Sequence, residues 1–479
     1  MDLFSGAGGL SLGLEQAGFS VIMGVDRDLA AIETRAANFG GVSFEGDLSH
    51  GVSLKLIVAM LGKLKIDLIA AGPPCQPFSR AGENKIRSLV RKGVRPEHDV
   101  RRELWQSFLY VVEKVRPRAV LVENVPDMAN GRNAPVYKNI VLGLEELGYD
   151  IHSRILAASQ FGVPQYRERL FTIGFREHRP FAWPEPSEST VTVRDAIGDL
   201  PPVTGGDLEN PKPYYCGEPT RFQRQCRASI EPSDQSRVYG HVTGEVRADD
   251  LEVFKVLKSG DPYNSLPSHL QRYRSDIFDD KYNRLRWDAP SRTITAHIAK
   301  DGYWYIHPEQ DRTLTVRESA RLQTFPDRFR FAGYRSNAFR QIGEAIPPIL
   351  ALEVGASIRQ ALRSRRRVKQ IPVSSEISSR LGNWMDEEKA ENLRAPWRAT
   401  PDPWLISLGT VFASTNGRMS NWDALKEQWP SASEFLADAT RETTSPDGNK
   451  LKVLELLAVQ ILGRNNVTAG VKGGGKVYQ

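Results

Sequence analysis

Asp2-Leu3-Phe4-Ser5-Gly6-Ala7-Gly8-Gly9, with Leu10, Leu12, Leu14 and Ala17 behind it, is the stretch that decides the fold. It reads as a short strand, a glycine turn and the opening of a helix. Glycines permit the tight turn and the close approach of a backbone to a ligand. Ser20-Val21-Ile22-Met23-Gly24-Val25-Asp26 reads as the next strand, ending on an acid, and Leu29 to Phe39 as a crossover helix. Two more apolar runs, Ile66-Asp67-Leu68-Ile69-Ala70-Ala71 and Ala119-Val120-Leu121-Val122-Glu123, flank a helical stretch from Glu103 to Val115. Strand, helix and strand at this spacing predict an α/β, doubly wound sheet with parallel strands. Ligands of such sheets gather at the carboxyl ends of the strands. Those ends carry the glycine turn, Asp26, Pro73-Pro74-Cys75 and Glu123-Asn124. Taken alone, the turn suits either a nucleoside ligand, with Asp26 on the ribose hydroxyls, or plain packing.

Composition narrows the class. The chain has 479 residues, 40% hydrophobic and 25% charged, which suits a soluble protein of two or three domains. No apolar run is long enough for a transmembrane helix, and Met1-Asp2-Leu3-Phe4 has an acid where a signal peptide needs a basic region. Three cysteines, Cys75, Cys216 and Cys226, make no disulfide framework and no CxxC pair. A reducing cytoplasmic setting and no metal site are expected. The net charge of +6 is compatible with a polyanionic partner without requiring one.

Gly72-Pro73-Pro74-Cys75-Gln76-Pro77-Phe78-Ser79 is less ordinary. Three prolines stiffen the backbone around one thiol, and a cysteine so held is a candidate nucleophile. Glu123 ends the neighbouring strand, so thiol and carboxyl would share a pocket. The alternatives are a buried inert cysteine and a carboxylate that caps a helix or pairs with a cation.

Together these residues resemble the DNA cytosine-5 methyltransferases, and the resemblance continues in order. The glycine turn is similar to the family's cofactor motif, Pro73-Pro74-Cys75-Gln76 to its catalytic loop and Glu123-Asn124-Val125 to its base-holding motif. Gln165-Tyr166-Arg167-Glu168-Arg169 resembles the paired-arginine motif. Arg292-Thr293-Ile294-Thr295, Leu314 to Glu318 with Arg321-Leu322-Gln323 and Phe325-Pro326, and Gly343 to Pro348 resemble the closing blocks. The match spans roughly residues 1–360 and implies a Rossmann-like catalytic domain dependent on S-adenosylmethionine. The implied cofactor residues are Phe4, Gly6, Gly8, Asp26, Asp47, Pro73 and Glu344. The implied catalytic residues are Cys75, which adds to C6 of a flipped-out cytosine, Glu123, Arg167 and Arg169. Double-stranded DNA would be the substrate of a monomer that works in a prokaryotic restriction-modification or defence system, beside a restriction endonuclease. A transfer-RNA cytosine-5 methyltransferase and a catalytically silent DNA-binding protein of the same fold are the alternatives.

The expected domains are a catalytic first part at 1–182, a target-recognition domain at 183–286, a closing catalytic part at 287–370 and a C-terminal accessory region at 381–479. Residues 80–102 hold eight lysines and arginines against three acids, suited to phosphate contacts. In 183–286, Arg221, Arg224, Arg227, Arg237, Arg272 and Arg274 interleave with Tyr214, Tyr215, Phe222, Tyr239 and Tyr273. That pattern suits groove and phosphate contacts. Ser291 to Thr295 reads as a strand, Thr315 to Gln323 as a helix capped by Thr315 and Glu318, and Ile371 to Ser379 as a linker. The tail reads as helical, and Asp402 to Phe412 weakly resembles a helix of helix-hairpin-helix DNA glycosylases.

Two departures from the family pattern stand out. The first strand begins almost on the glycine turn, so the chain is expected to have further residues upstream. Glu344 stands where the family carries asparagine. A carboxylate there would repel the cofactor's own carboxylate, unless it turns to the cofactor's ammonium or to Arg340.

Overall fold

The computed structural model describes residues 1–74, 103–187, 189–215, 217–272, 282–300 and 302–364, with 374, 376–377 and 379–381. Seven strands form one sheet: β1 (Asp2–Leu3), β2 (Met23–Asp26), β3 (Val42–Glu45), β4 (Leu68–Ala71), β5 (Ala119–Asn124), β6 (Asp150–Ala157) and β7 (Glu168–Phe175). Their order is β3-β2-β1-β4-β5-β7-β6. The first five are parallel, and β7 runs against both β5 and β6. The connections hold α1 (Gly9–Gln16), α2 (Leu29–Asn38), α3 (Gly51–Leu61), α4 (Leu104–Val115) and α5 (Ala134–Glu146).

Alternation along the strands explains the layers, since successive side chains leave opposite faces. Ile69, Ala71, Val120 and Val122 point to one face and pack with Leu54, Ile57, Phe108, Val112 and Leu144 of α3, α4 and α5. Leu68, Ala70, Ala119 and Leu121 point to the other and meet Leu10 and Leu14 of α1. The expected doubly wound α/β fold is therefore present, with a mixed sheet. β2 starts at Met23, later than the apolar run suggests, and β1 has two residues. The backbone nitrogen of Met1 is buried and donates to the Leu68 carbonyl at 3.0 Å.

The region after residue 182 is irregular, as its prolines and glycines imply. It carries α6 (Val193–Ile197), β8 (Lys212–Pro213), α7 (Arg221–Arg227), β9 (Arg237–Val238) and α8 (Ala248–Val256), with β8 and β9 antiparallel. Tyr263, Tyr282 and Tyr303 stack in series at 5.7 and 5.3 Å, beside Phe254, as a small aromatic core. The closing part holds α9 (Val316–Leu322), α10 (Arg335–Glu344) and α11 (Pro348–Arg363). Thr315 caps α9 in a capping box with Glu318, as the spacing predicts. Leu350, Val354 and Ile358 of α11 complete the layer over α1. Ser291 to Thr295 is not a strand. Its backbone groups are used elsewhere: Ser291 N–H donates to the Pro164 carbonyl and Ile294 N–H to the Gln165 side chain.

Among the described residues, no helix is long and apolar enough to cross a membrane. The stretch read as a linker is anchored at its end. Ser374 N–H donates to the Glu146 carbonyl at 2.7 Å and Arg380 pairs with the Glu146 carboxylate at 2.7 Å. Ile377 and Leu381 are buried in the cluster that holds α3, α4 and α5. The remaining tail, 382–479, including the glycosylase-like stretch, lies outside the described residues. The anchor is tested by comparing chains truncated after Leu381 and after Ser364. Truncation after Ser364 should lower stability by roughly 2–5 kcal/mol, the worth of two buried aliphatic side chains. Equal melting temperatures for the two truncations, read by calorimetry, would show that the anchor contributes nothing.

Candidate active site

The carboxyl ends of β1, β2, β4 and β5 meet at one rim. Phe4 leaves β1 with φ of 59°, a left-handed conformation unusual for a bulky residue. Gly6 follows at φ 51°, and a Cβ built on it would have no atom within 4 Å, so the turn opens on free space. Gly8, at φ 94°, is the N-cap of α1. Gly9 is needed for packing, because a Cβ there would lie 2.4 Å from the Ile346 carbonyl oxygen. The closing segment thus presses directly on the turn.

Asp26, at the end of β2, fixes this turn. Its carboxylate accepts the Gly6 N–H at 2.8 Å and the Asp28 N–H at 2.9 Å. Burial pushes its pKa up, and those two hydrogen bonds oppose the rise. A carboxylate offers about four acceptor sites, so two remain for hydroxyls of a ligand. Asp47 lies beyond β3, accepts from the N–H and hydroxyl of Ser49 and stands 3.9 Å from Arg27. The free volume at Gly6 beside this carboxylate fits a ribose-bearing cofactor.

Pro73 is buried and Pro74 half-buried just past β4. Cys75 and the basic stretch 80–102 lie outside the described residues. Glu123 is buried at the end of β5, and Gly72 is so close that a Cβ on it would sit 3.6 Å from Glu123 Oε2. Burial raises the Glu123 pKa against the pull of Arg169 and then Arg167. Arg169 Nε holds Glu123 Oε1 at 2.7 Å, with both side chains almost fully covered. Asn124, whose side chain the sequence reading left without a role, donates to the Pro73 carbonyl at 3.2 Å. It ties the ends of β4 and β5 together. Its position directly after the acid was the available signal.

The two arginines of the paired motif do different things. Arg169 faces Glu123, whereas Arg167 is buried and donates to the carbonyls of Ile294 at 2.8 Å, Gly343 at 3.3 Å and Ala345 at 2.9 Å. Gln165 adds a second clamp that the sequence reading passed over. Its amide donates to Gln323 at 2.7 Å and to the Leu322 carbonyl at 3.2 Å, and its oxygen accepts the Ile294 N–H at 2.9 Å. Gln323 in turn donates to the Ala345 carbonyl.

Glu344 ends α10 on this rim. Arg340, one turn earlier, donates to Asp28. Glu344 is exposed as a residue, and partial desolvation of its carboxyl, opposed by Arg340, pushes its pKa upward. Among the described residues, no group of His, Cys, Asp and Glu could hold a metal ion. Cys226 is buried, and burial pushes its thiol up to about 12, so it is inert.

In the variable region the expected DNA-contact residues divide. Arg227 is bound to Asp327 at 2.9 Å and lies over the Tyr214 ring at 3.6 Å, and Arg272 pairs with Asp249 and Asp250. Tyr214 donates to Asp199, and Tyr239 to Asp234. Phe222 is core. Arg221, Arg224, Arg237 and Tyr215 are exposed, and Arg224 bonds the Pro219 carbonyl. Tyr273 and Arg274 lie outside the described residues.

Residues 1–360 match the family profile of C-5 cytosine-specific DNA methylases. The chain belongs to that family and is a DNA cytosine-5 methyltransferase, which implies dependence on S-adenosylmethionine. It is 32% identical over 439 residues to the type II methyltransferase M.AgeI of Thalassovita gelatinovora, covering 76% of this chain and 99% of that one. To the type II methyltransferase M.XorII of Xanthomonas oryzae it is 33% identical over 399 residues, covering 76% and 85%. A crystal structure of an Escherichia coli prophage protein described as a DNA modification methyltransferase aligns with a TM-score of 0.60 at 27% identity, covering 76% and 99%.

Arg167→Lys keeps the charge but reaches fewer of the three carbonyls. It should cost about 2–4 kcal/mol, given about 1.5–3 for each hydrogen bond to a charged group. Denaturant unfolding within 0.5 kcal/mol of the parent would refute the clamp.

Proposed function

We propose that the protein methylates C5 of a flipped-out cytosine in a specific duplex sequence, through a covalent adduct between Cys75 and C6. The observation that carries this reading is the pairing of strand ends. A buried acid, Glu123, is held by Arg169, and the residues leading directly into Cys75 are tied beside it by Asn124. Cytosine C5 is a poor nucleophile until a nucleophile adds at C6. The Cys75 thiolate forms the S–C6 bond, and Glu123, whose pKa burial raises against the pull of Arg169, delivers a proton to N3 and offsets charge on the ring. Arg169 fixes the rotation of that carboxyl. Arg167 supports the site from behind by holding the closing segment.

S-adenosylmethionine supplies an electrophilic methyl group when bound. Phe4, Gly6, Gly8 and Pro73 would line its place on the turn, with Asp26 on the ribose hydroxyls, Asp47 at the adenine amine and Glu344 at the rim. Loss of the C5 proton to water then breaks the S–C6 bond and returns the thiolate, and the N3 proton goes back to Glu123. C6 is unreachable within a stacked duplex, so the base must leave the helix. Residues 80–102 would hold phosphates as it does, and the exposed arginines of 183–286 would contact the groove. We infer further that the protein works as a monomer in a prokaryotic cytoplasm, beside a restriction endonuclease; its likeness to proteins named type II methyltransferases is in keeping with a modification role.

Bisulfite sequencing of DNA from cells expressing the protein should reveal one methylated motif. A duplex bearing 5-fluorocytosine at that position should then trap the enzyme covalently in the presence of S-adenosylmethionine, because fluorine cannot leave as a cation. Cys75→Ser should give no conjugate on a denaturing gel, since a hydroxyl supplies almost no anion at neutral pH. Glu123→Gln should slow trapping while leaving cofactor binding intact. A conjugate in Cys75→Ser would assign the nucleophile to another residue. Label transfer to transfer RNA in place of the duplex would assign the substrate to RNA.

A further inference from the structure

The backbone and the side chain of Arg330 serve different parts of the molecule. Its N–H donates to Asn38 Oδ1 at 3.0 Å and its carbonyl accepts from Asn38 Nδ2 at 2.7 Å, which ties the backbone to the end of α2. Two residues on, the Ala332 N–H donates to Thr34 Oγ1 at 2.7 Å, one turn earlier on the same helix. The guanidinium turns into the variable region. It pairs with Asp234 Oδ2 at 3.1 Å and lies 3.8 Å over the Tyr239 ring, and its other terminal nitrogen donates to the Asp327 carbonyl at 2.7 Å. The Tyr239 hydroxyl donates to the second oxygen of Asp234 at 2.9 Å, so the three side chains close on one another.

The same segment reaches the cofactor turn. Phe329, next to Arg330, meets the Phe39 ring edge to face at 5.9 Å. Phe39 closes α2, and its Cε2 lies 2.5 Å from where a Gly8 Cβ would be. Arg35 Cζ lies 4.7 Å over that ring and backs it. Gly8 is the N-cap of α1, at the end of the turn. On the other side, Asp234 and Tyr239 flank β9, whose Arg237 is exposed. Between Arg237 and Gly8 each step is a neighbour in the chain or a direct contact.

We infer that Arg330 is a positioning residue that couples the recognition module to the cofactor turn, so that a cognate duplex and the cofactor each strengthen the binding of the other. The inference rests on the reading of the protein as an S-adenosylmethionine-dependent methyltransferase of a specific duplex sequence. Each ligand fixes one end of this run of contacts and so lessens the freedom that the other has to remove. Linkage makes the two enhancements equal. The side chain is the separable part: shortening it releases Asp234 and Tyr239, while Asn38 keeps its hold on the peptide groups of Arg330.

The test is calorimetric titration of the full chain with S-adenosylhomocysteine, which cannot be turned over. Titrations are run without DNA, with a duplex bearing the motif found by bisulfite sequencing, and with an unrelated duplex. The cognate duplex should tighten binding by about fivefold or more in the parent chain, the lower end of ordinary coupling between sites. Arg330→Met should bring that factor close to one and leave binding without DNA unchanged. Arg330→Lys, which keeps a charge for Asp234, should recover part of it. In the parent chain, hydrogen exchange at the Arg330 and Ala332 amides should slow with either ligand and slow most with both. A factor of one in the parent with both ligands bound would overturn the inference even if no variant folds. So would an undiminished factor in Arg330→Met, or equal tightening by the unrelated duplex. Weaker binding without DNA in Arg330→Met, with the factor intact, would make the contact merely structural and overturn it too. If the parent chain bound no S-adenosylhomocysteine or no duplex, the functional reading itself would fall, and this inference with it.

Discussion

The buried guanidinium of Arg167 is the point on which the two halves of the catalytic domain depend. It leaves the chain just before β7 and reaches carbonyls at Ile294, Gly343 and Ala345, across the whole variable region. A buried cation is costly unless its donors are used, and carbonyls orphaned in the interior cost about as much again. The arrangement therefore has few alternatives. Gln165 fixes the same segments from the other side of the strand entry, through Ile294 and Gln323. Residues 343–345 are far from the glycine turn in sequence, and this pair of clamps holds them where Ile346 can close over Gly9.

That closure explains why the rim works as a unit. The turn is held from below by Asp26 and from above by Ile346, while Asn124 links the ends of β4 and β5. Asp26, Glu123 and Arg169 sit on β2, β5 and β7, strands with a neighbour on both sides. Small displacements of catalytic groups are costly to rate, and rigid strand ends limit them. Glu123 benefits most: it ends a strand flanked by β4 and β7, with its cation partner supplied by β7 itself.

Much of this was legible in the sequence because the signals were local. The apolar runs that became β4 and β5 alternate cleanly between two buried faces, and the glycine turn and Thr315 capping box are short-range chemistry. Ser291 to Thr295 misled because β-branched residues also suit an extended segment that makes a single backbone bridge, at Ser291, and otherwise bonds to side chains, and nothing local distinguishes the two. The anchoring of Ile377 and Leu381 was equally hidden. Two apolar residues in a polar stretch become meaningful only once the surface under them is known. Arg167 and Arg169 are two apart, a spacing that alternation would put on one face; they part because Arg167 precedes β7 while Arg169 lies within it, and that Arg169 meets the acid depends on the register of β7 against β5.

The variable region shows how the same residue type serves two ends. Asp327 gathers Arg321 at 2.7 Å and Arg227 at 2.9 Å, and Arg321 also reaches Asp199. Burial alone would raise the Asp327 carboxyl, yet Arg321, Arg317 and Arg227 hold it well below the ordinary carboxylate range. A buried network of this kind adds little net stability over an apolar core, but breaking it strands a charge. It therefore locks orientation: α7 cannot shift against α9 without separating Arg227 from Asp327. The basic residues of this region are thus of two sorts. Those bound into the network hold α7 against the segment that follows α9, whereas Arg221 and Arg237 are exposed.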